Sequence, residues 1–431
     1  MTRRYFAMAL CCVASTASAD LSELRDLHLD IIPRTADETA RIARVTAPTP
    51  DFTVAETFET NPGGAATVRA RTDADAFSQA SGNMSFEGEL NFKVGNGLFR
   101  KLWVSSPSST MASDGLGPLY NARSCQRCHL KDGRGHPPDG PEDSPVSMFL
   151  RISVPAAPDS AMTEIEAFLD SLGDTTQRTR PDPVYGGQIQ DFATAGHTAE
   201  GRMQIDYEEI EVALSGGETA MLRKPGYSLA DPAYGAPHPE AMLSPRVAPQ
   251  MIGLGLLEAI PLEDILSHAD PDDADGDGIS GRAQIVWSVE HEAPMLGRFG
   301  WKAGMATVKE QSASAFAGDI GISNPLFQAP SGDCTEAQEA CIAGPHGDGD
   351  ARRWEIDAEG LDLVSFYSRN LAVPARRDVD DPQVLRGKQV FYDTGCVACH
   401  TPKFVTHRLD NRPEQSFQLI WPYSDLLLHD M

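Results

Sequence analysis

Two short motifs place thiol and imidazole side chains at a spacing that suits iron chemistry. They are Cys125-Gln126-Arg127-Cys128-His129 and Cys396-Val397-Ala398-Cys399-His400. In a CxxCH motif the two thiols can add covalently to the vinyl groups of a haem, and the adjacent histidine can bind the iron. The sequence therefore predicts two c-type haems, with His129 and His400 as axial iron ligands.

Paired cysteines at this spacing also suit other chemistry. The two CxxC pairs together could form one tetrahedral zinc site, and either pair alone could be a redox-active dithiol. A zinc site does not need a histidine directly after the second cysteine, and both motifs have one. This favours covalent haem at Cys125 and Cys128 and at Cys396 and Cys399.

The first residues have the pattern of an export signal. Arg3 and Arg4 precede a short apolar run at residues 5–13, and Ala17-Ser18-Ala19 matches a cleavage site. The apolar run is too short to span a bilayer. We therefore expect cleavage after Ala19, a periplasmic or secreted protein, and no transmembrane segment.

The remaining cysteines predict a disulfide. Of the 8 cysteines, Cys11 and Cys12 fall in the expected signal and four belong to the haem motifs, which leaves Cys334 and Cys341. An oxidising compartment favours joining this pair as a structural bridge. The alternative is a redox-active disulfide, but such centres are usually strained or more closely spaced.

The formal net charge of −26 bears on partners. A strongly acidic surface disfavours nucleic acid and anionic lipid, and attracts a basic partner such as a small cytochrome c or cupredoxin that carries electrons. Plain solubility is the alternative explanation for the same charge.

The elements expected around the motifs divide the chain into five parts. These are the signal at 1–19, an acidic lead-in at 20–85, a first haem segment at 86–155, a middle region at 156–345, and a second haem domain at 346–431. Amphipathic helices are expected at 361–371 and 384–392, the second leading into Cys396, and a β-hairpin at 205–214 and 219–223. We thus predict a mainly α protein with two cytochrome c-like haem domains, long loops and a small hairpin-containing middle region.

An acidic loop in the middle region resembles a calcium site. Asp273, Asp275, Asp277 and Gly278 match the front of an oxygen-rich calcium loop. Gln284 stands where a bidentate glutamate is expected, so the match is incomplete. A solvated acidic turn is the alternative.

Several longer stretches resemble the bacterial di-haem oxidoreductase and peroxidase family, which is related to di-haem cytochrome c peroxidases and the methylamine-utilisation di-haem enzyme. The matching stretches are residues 103–110, 114–125, 132–135, 244–246, 253–259, 275–282, 297–303 and 423–431. The resemblance implies two haems and, by analogy with the related peroxidases, calcium. It also implies that family members continue past residue 431, so the second haem domain is expected to be truncated.

The resemblance further implies that the two haems have different roles. Met431 matches the family's candidate for the sixth ligand of the second haem, which would then relay electrons. The first haem would keep an open position for hydrogen peroxide, next to an acid-base group. The candidates for that group are His197, His238, His291 and Glu258. Trp301 is either an electron relay between the haems or a core aromatic. A plain electron-transfer cytochrome and an oxidase of a protein or thiol are the alternative functions.

Overall fold

The computed structural model describes residues 21, 24–140, 142–157, 162–172, 178–274, 276–347 and 353–430. The expected signal peptide, Asp275 and Met431 lie outside these described residues.

The helices are short and several begin at a recognisable cap. The Oγ atom of Ser85 accepts a hydrogen bond from the Gly88 amide at the start of α2, and Asp381 precedes a proline at the first position of α10. The helices are α1 Ala36–Thr46, α2 Phe86–Arg100, α3 Cys125–Cys128, α4 Glu164–Ser171, α5 Leu254–Glu258, α6 Leu262–Leu266, α7 Val308–Ala315, α8 Glu339–Ile342, α9 Ala358–Arg369 and α10 Pro382–Asp393. A π-helical turn, Phe316–Ile320, continues directly from α7.

The strands form many small sheets. They are β1 Ile31–Ile32, β2 Val104–Ser105, β3 Asp114–Leu116, β4 Leu119–Tyr120, β5 Met148–Pro155, β6 Thr179–Arg180, β7 Phe192–Ala193, β8 Arg202–Ala213, β9 Thr219–Ala230, β10 Met242–Val247, β11 Ser280–Arg282, β12 Ile285–Ser288, β13 Ala293–Leu296, β14 Phe404–Val405, β15 Arg408–Leu409, β16 Leu419–Ile420 and β17 Leu428–Asp430. Strands β10, β5 and β6 form one three-stranded sheet, and the other strands pair two by two.

The prediction of a mainly α fold is wrong. Helices make up 27% and strands 21% of the structure. Most strands are two to four residues long. Three pairs of them join segments that are far apart in the sequence, namely β1 with β15, β4 with β7 and β11 with β17. Such short strands show no alternation of apolar and polar residues, so the sequence pattern does not reveal them.

Helices α2 and α9 cross closely and centre the largest hydrophobic cluster. That cluster includes Phe92 and Phe99 of α2 and Val364 and Tyr367 of α9. A Cβ atom at Gly95 would lie 2.2 Å from the carbonyl oxygen of Leu363, so only glycine fits at this crossing. Helix α9 therefore packs on the first haem segment, although it is adjacent in sequence to the second CxxCH motif.

The acidic lead-in is held against the second haem segment. Strand β1 pairs with β15, and Val68 bridges Pro374. The carboxylate of Glu59 binds Arg376 and Lys388, both with low exposure. None of the helices in the described ranges is both long and apolar enough to cross a membrane.

Candidate functional site

The first CxxCH motif sits on a single helical turn that leaves its imidazole ready to bind a metal. The His129 amide donates to the Cys125 carbonyl oxygen over 3.0 Å, which closes the turn. The His129 Nδ1 atom lies 2.8 Å from the Pro249 carbonyl oxygen. Because a carbonyl can only accept, Nδ1 carries the proton and the Nε2 lone pair is left for a ligand.

The second motif repeats this arrangement. The His400 amide donates to the Cys396 carbonyl oxygen over 2.9 Å, and His400 Nδ1 lies 3.0 Å from the Tyr423 carbonyl oxygen. Its Nε2 atom is therefore also the unprotonated one. All four motif cysteines are free thiols. Both motifs thus present the two thiols and the tautomer that covalent haem attachment and iron ligation require.

The helix before each motif carries the same pair of residues. Phe99 follows Gly95 by four positions, and its ring centroid lies 6.2 Å from that of His129. Phe391 follows Gly387 by four positions, and its ring centroid lies 5.9 Å from that of His400. The glycine contacts differ: α9 covers Gly95, whereas an added Cβ at Gly387 would meet nothing within 4 Å.

Each motif borders a cleft of a size that suits a large cofactor. The cleft at the first motif has a volume of about 930 Å³, and its lining includes Gln126 and the cations Arg71, Lys93, Arg100 and Lys131. Arg71 and Lys131 are ion-paired with Asp73 and Asp75. Lys93 and Arg100 are therefore the cations there that suit the carboxylates of a haem. The cleft at the second motif has a volume of about 550 Å³ and is lined by Gly387, Phe391, Trp421 and Tyr423, among others.

Two half-buried carboxylates, those of Asp191 and Asp319, lie close to the first pair of thiols. Burial, followed by the charge of Asp319, raises the pKa of Cys125 to about 12. The same two causes raise the pKa of Cys128. Burial also raises the pKa of Asp191 to about 6 and raises that of Asp319. A carboxyl group with a pKa of about 6 is partly protonated near neutral pH, so Asp191 can exchange a proton with a reacting group.

An amide network connects these two carboxylates. Gln188 Nε2 donates to Asp319 Oδ1 over 2.9 Å and to Asn121 Oδ1 over 2.5 Å, and Asn121 Nδ2 donates to Asp191 Oδ1 over 2.9 Å. The sequence analysis missed Asp191 and Asp319, which are far apart in the chain. The π-helical turn that carries Asp319 leaves no clear sequence signal, although such turns often mark functional sites.

A hydrogen bond joins the segment after the first motif to helix α9. Tyr367 Oη donates to Asp132 Oδ1 over 2.6 Å, and Ser78 Oγ donates to Asp132 Oδ2 over 2.5 Å. Burial raises the pKa of Asp132, although both hydrogen bonds oppose that rise. These two hydrogen bonds fix the position of the segment that carries His129.

A histidine that the sequence analysis missed lies beside the second motif. His429 Nδ1 is 3.8 Å from the Cys399 sulfur, and His429 Nε2 is 2.8 Å from Asp425 Oδ2. Strand β17 carries His429 and pairs with β11, which follows the acidic loop. The pairing brings that loop to the second motif. Burial, followed by the charges of Asp425 and Asp277, raises the pKa of Cys399 there.

The carboxylates predicted for calcium bind their own loop. Asp273 Oδ1 accepts from the Gly278 amide over 3.1 Å, and Asp277 Oδ1 accepts from the Ile279 amide over 2.8 Å. Among the described residues, no group of three or more histidine, cysteine or acidic side chains has a metal-binding arrangement. Calcium at this loop stays a prediction. The Cys334 and Cys341 sulfur atoms lie 1.94 Å apart, as a disulfide.

Three of the acid-base candidates left open by the sequence bind other side chains or backbone groups. The fourth, His197, follows strand β7, where its amide donates to the Thr194 carbonyl oxygen over 3.1 Å. Glu258 is fully buried and ion-paired with Arg369 and Arg412. The His238 amide donates to Asp182, and His291 lies near Glu290. Trp301 is 49% exposed, and its indole N–H donates to the Val247 carbonyl oxygen over 2.7 Å.

The comparisons with known proteins bear on the whole site. A family model described as "Di-haem oxidoreductase, putative peroxidase" matches residues 57–431, which include both CxxCH motifs. Neither a curated protein nor a solved structure matches the chain.

Proposed function

Because the chain belongs to the di-haem oxidoreductase family, we propose that it is an exported c-type peroxidase that passes electrons from one haem to the other. Cys125 and Cys128 would hold the first haem, and Cys396 and Cys399 the second. The observation that carries this proposal is the shared state of His129 and His400, in which a backbone carbonyl fixes the proton on Nδ1.

The haems, when bound, would supply the redox chemistry, namely reduction of hydrogen peroxide at one iron and electron transfer at the other. The chain's own residues would decide which haem does which. Asp191 and Asp319 lie near the first motif, so that side can hold and return a proton at a carboxyl oxygen. We therefore assign the first haem to peroxide.

The second motif suits electron entry. Cys396 and His400 are exposed, whereas Cys128 of the first motif is buried. An exposed site shortens the path from a docked donor. We propose Met431 as the sixth ligand there, because Leu428–Asp430 directly precedes it and His429 of that strand lies beside Cys399.

The electron donor would be a small basic redox protein such as a cytochrome c or cupredoxin. The chain's net charge of −26 would steer such a partner towards it. The expected signal sequence and the Cys334–Cys341 bond both suit an oxidising compartment outside the cytoplasm. Calcium bound in the loop of Asp273 and Asp277 would stabilise strand β11, which pairs with β17 beside the second motif.

Spectra of the half-reduced, haem-loaded protein test the proposal. We expect a high-spin signal that hydrogen peroxide removes, and we expect Asp191→Asn to slow that reaction while both haems stay attached. The matched control is Asp206→Asn, at an exposed position on β8. Two haems that stay low-spin in every redox state, and that bind no small ligand, would indicate an electron-transfer cytochrome instead.

A further inference from the structure

Strands β8 and β9 form a two-stranded ribbon. Most of its apolar side chains lie on one face near the base and on the opposite face near the tip. The two strands pair in register from Arg202 with Ala230 to Ala213 with Thr219. Side chains alternate between the two faces of a strand, so the register assigns every residue to one face. We call the face that carries Met203, Ile205 and Tyr207 the inner face. The outer face carries the even-numbered residues of β8 and their partners on β9.

The base of the inner face packs on the protein. Ile205 is buried, and Met203, Tyr227 and Leu229 contact the cluster around Leu150. Further along, Tyr207 Oη donates to the Pro138 carbonyl oxygen over 2.5 Å, and Arg223 donates to that of Asp139 over 3.3 Å. The base and middle of the ribbon therefore lie with the inner face against the body and the outer face towards solvent. The tip projects from the body, because Met221 on its inner face is 58% exposed.

The outer face is polar near the base and apolar near the tip. Its apolar end consists of Ile210, Val212, Leu214, Ala220 and Leu222. Ile210 is 39%, Leu214 48% and Leu222 53% exposed. An isolated two-stranded ribbon is marginally stable in water, and an apolar strip on its free face usually marks an interaction site.

One charged pair borders the apolar strip. Glu208 faces Lys224 across the ribbon on the outer face, and both are exposed. Within the described parts of the chain, neither side chain makes a hydrogen bond or an ion pair. The outer face thus offers five apolar residues flanked by one negative and one positive charge.

We propose that this outer face is the contact between two copies of the chain. A two-fold axis along the ribbon would place β8 of one copy over β9 of the other. Ile210 would then meet Leu222 of the second copy, and Glu208 would meet its Lys224, so each charged pair forms twice. Because each body lies behind its own inner face, the two bodies stay on opposite sides of the paired ribbons.

The charges favour a second copy over other occupants. The strip is self-complementary only when it meets itself in this orientation, with opposite charges aligned. The ribbon face is about 40 Å long and about 10 Å wide, from twelve residues per strand. An area of roughly 400 Å² per copy, about 800 Å² in total, is below that of stable specific interfaces, so the dimer should be weak and reversible.

Sedimentation equilibrium of the haem-loaded protein tests the proposal, at about 0.15 M salt so that the overall negative charge is screened. Glu208→Lys and Lys224→Glu should each weaken the dimer about tenfold, because each aligns like charges twice. The double variant E208K/K224E should return to near the original affinity. Glu211→Lys, the same change on the inner face, is the matched control and should have no effect.

Three results would overturn the proposal. The first is a wild-type protein that stays monomeric up to a concentration on the order of 1 mM, above which an association is too weak to count as a specific dimer. The second is a double variant that associates no better than the single ones. The third is a wild-type chain that binds phosphatidylcholine vesicles while the charge variants bind them equally well, which would assign the apolar strip to lipid. Circular dichroism and haem spectra confirm that the variants are folded.

Discussion

Replacing Glu258 with glutamine should destabilise the protein in a strongly pH-dependent way. Glu258 has no exposed surface, and it joins three parts of the chain. Its Oε2 atom is 2.7 Å from both Arg369 of α9 and Arg412, and its Oε1 atom accepts from the Val308 amide over 2.7 Å. The carboxylate thus connects α5 with α7, with α9 and with the second haem segment.

The pKa of Glu258 gives the size of the effect. Burial alone would raise this pKa, but Arg369 and Arg412 outweigh burial and hold it at about 2, against an ordinary value of 4.5. A lowering of that size corresponds to about 3.4 kcal/mol of stability, at about 1.36 kcal/mol per pKa unit. The stability is complete above pH 4.5 and is lost as the pH falls towards 2. About 2 kcal/mol of it should be gone by pH 3.

Urea titration followed by circular dichroism would measure the effect at pH 7 and at pH 3. We expect Glu258→Gln to lower the free energy of unfolding by about 3 to 5 kcal/mol at pH 7, because the substitution leaves two arginines facing a neutral amide. The difference from the wild type should shrink by about 2 kcal/mol at pH 3. Glu263→Gln, at an exposed position, is the control. An equal loss for Glu258→Gln at both pH values would refute the reasoning.

Three further predictions concern the two motifs. Burial raises the pKa of Asp191 from 3.8 to about 6. The wild type is therefore fully stable only below pH 3.8, and it loses stability as the pH rises through 6. Urea titration should find Asp191→Asn about 3 kcal/mol more stable than the wild type at pH 8 and equal to it at about pH 3. Gly95→Ala should destabilise the protein, because the added Cβ would overlap the Leu363 carbonyl oxygen. The same titration should find Gly387→Ala unchanged or more stable by up to about 1 kcal/mol, since alanine favours a helix over glycine. Equal effects of the two variants would contradict the difference in helix packing. Replacing both cysteines of the second motif with serine should leave one haem instead of two in the intact mass, and a mass that still includes two would rule out thioether attachment at Cys396 and Cys399.

The sequence predicts the local parts of the site and not the long-range ones. Each CxxCH motif closes its own turn, so Cys125 and His129 are recognisable from five residues. The partner of helix α2 is different, because α9 lies more than 250 residues later and adjoins the other motif. Only the structure shows that Gly95 belongs to that crossing.

Buried polar groups are equally hard to predict. Asp191 and Asp319 look like ordinary acidic residues in the sequence, and their raised pKa values come from burial by distant segments. The apolar residues of β8 and β9 do predict a hairpin. Which of its faces packs on the protein depends on contacts that alternation alone does not specify.

The packing of α9 on α2 also has a consequence for biosynthesis. Residue 358, where α9 begins, lies about 230 residues after His129. Until α9 has docked on α2, the first two thiols have no finished core around them. On the proposed function, in which haem is attached after export, the first motif therefore stays open to attachment until this late part of the chain folds against it.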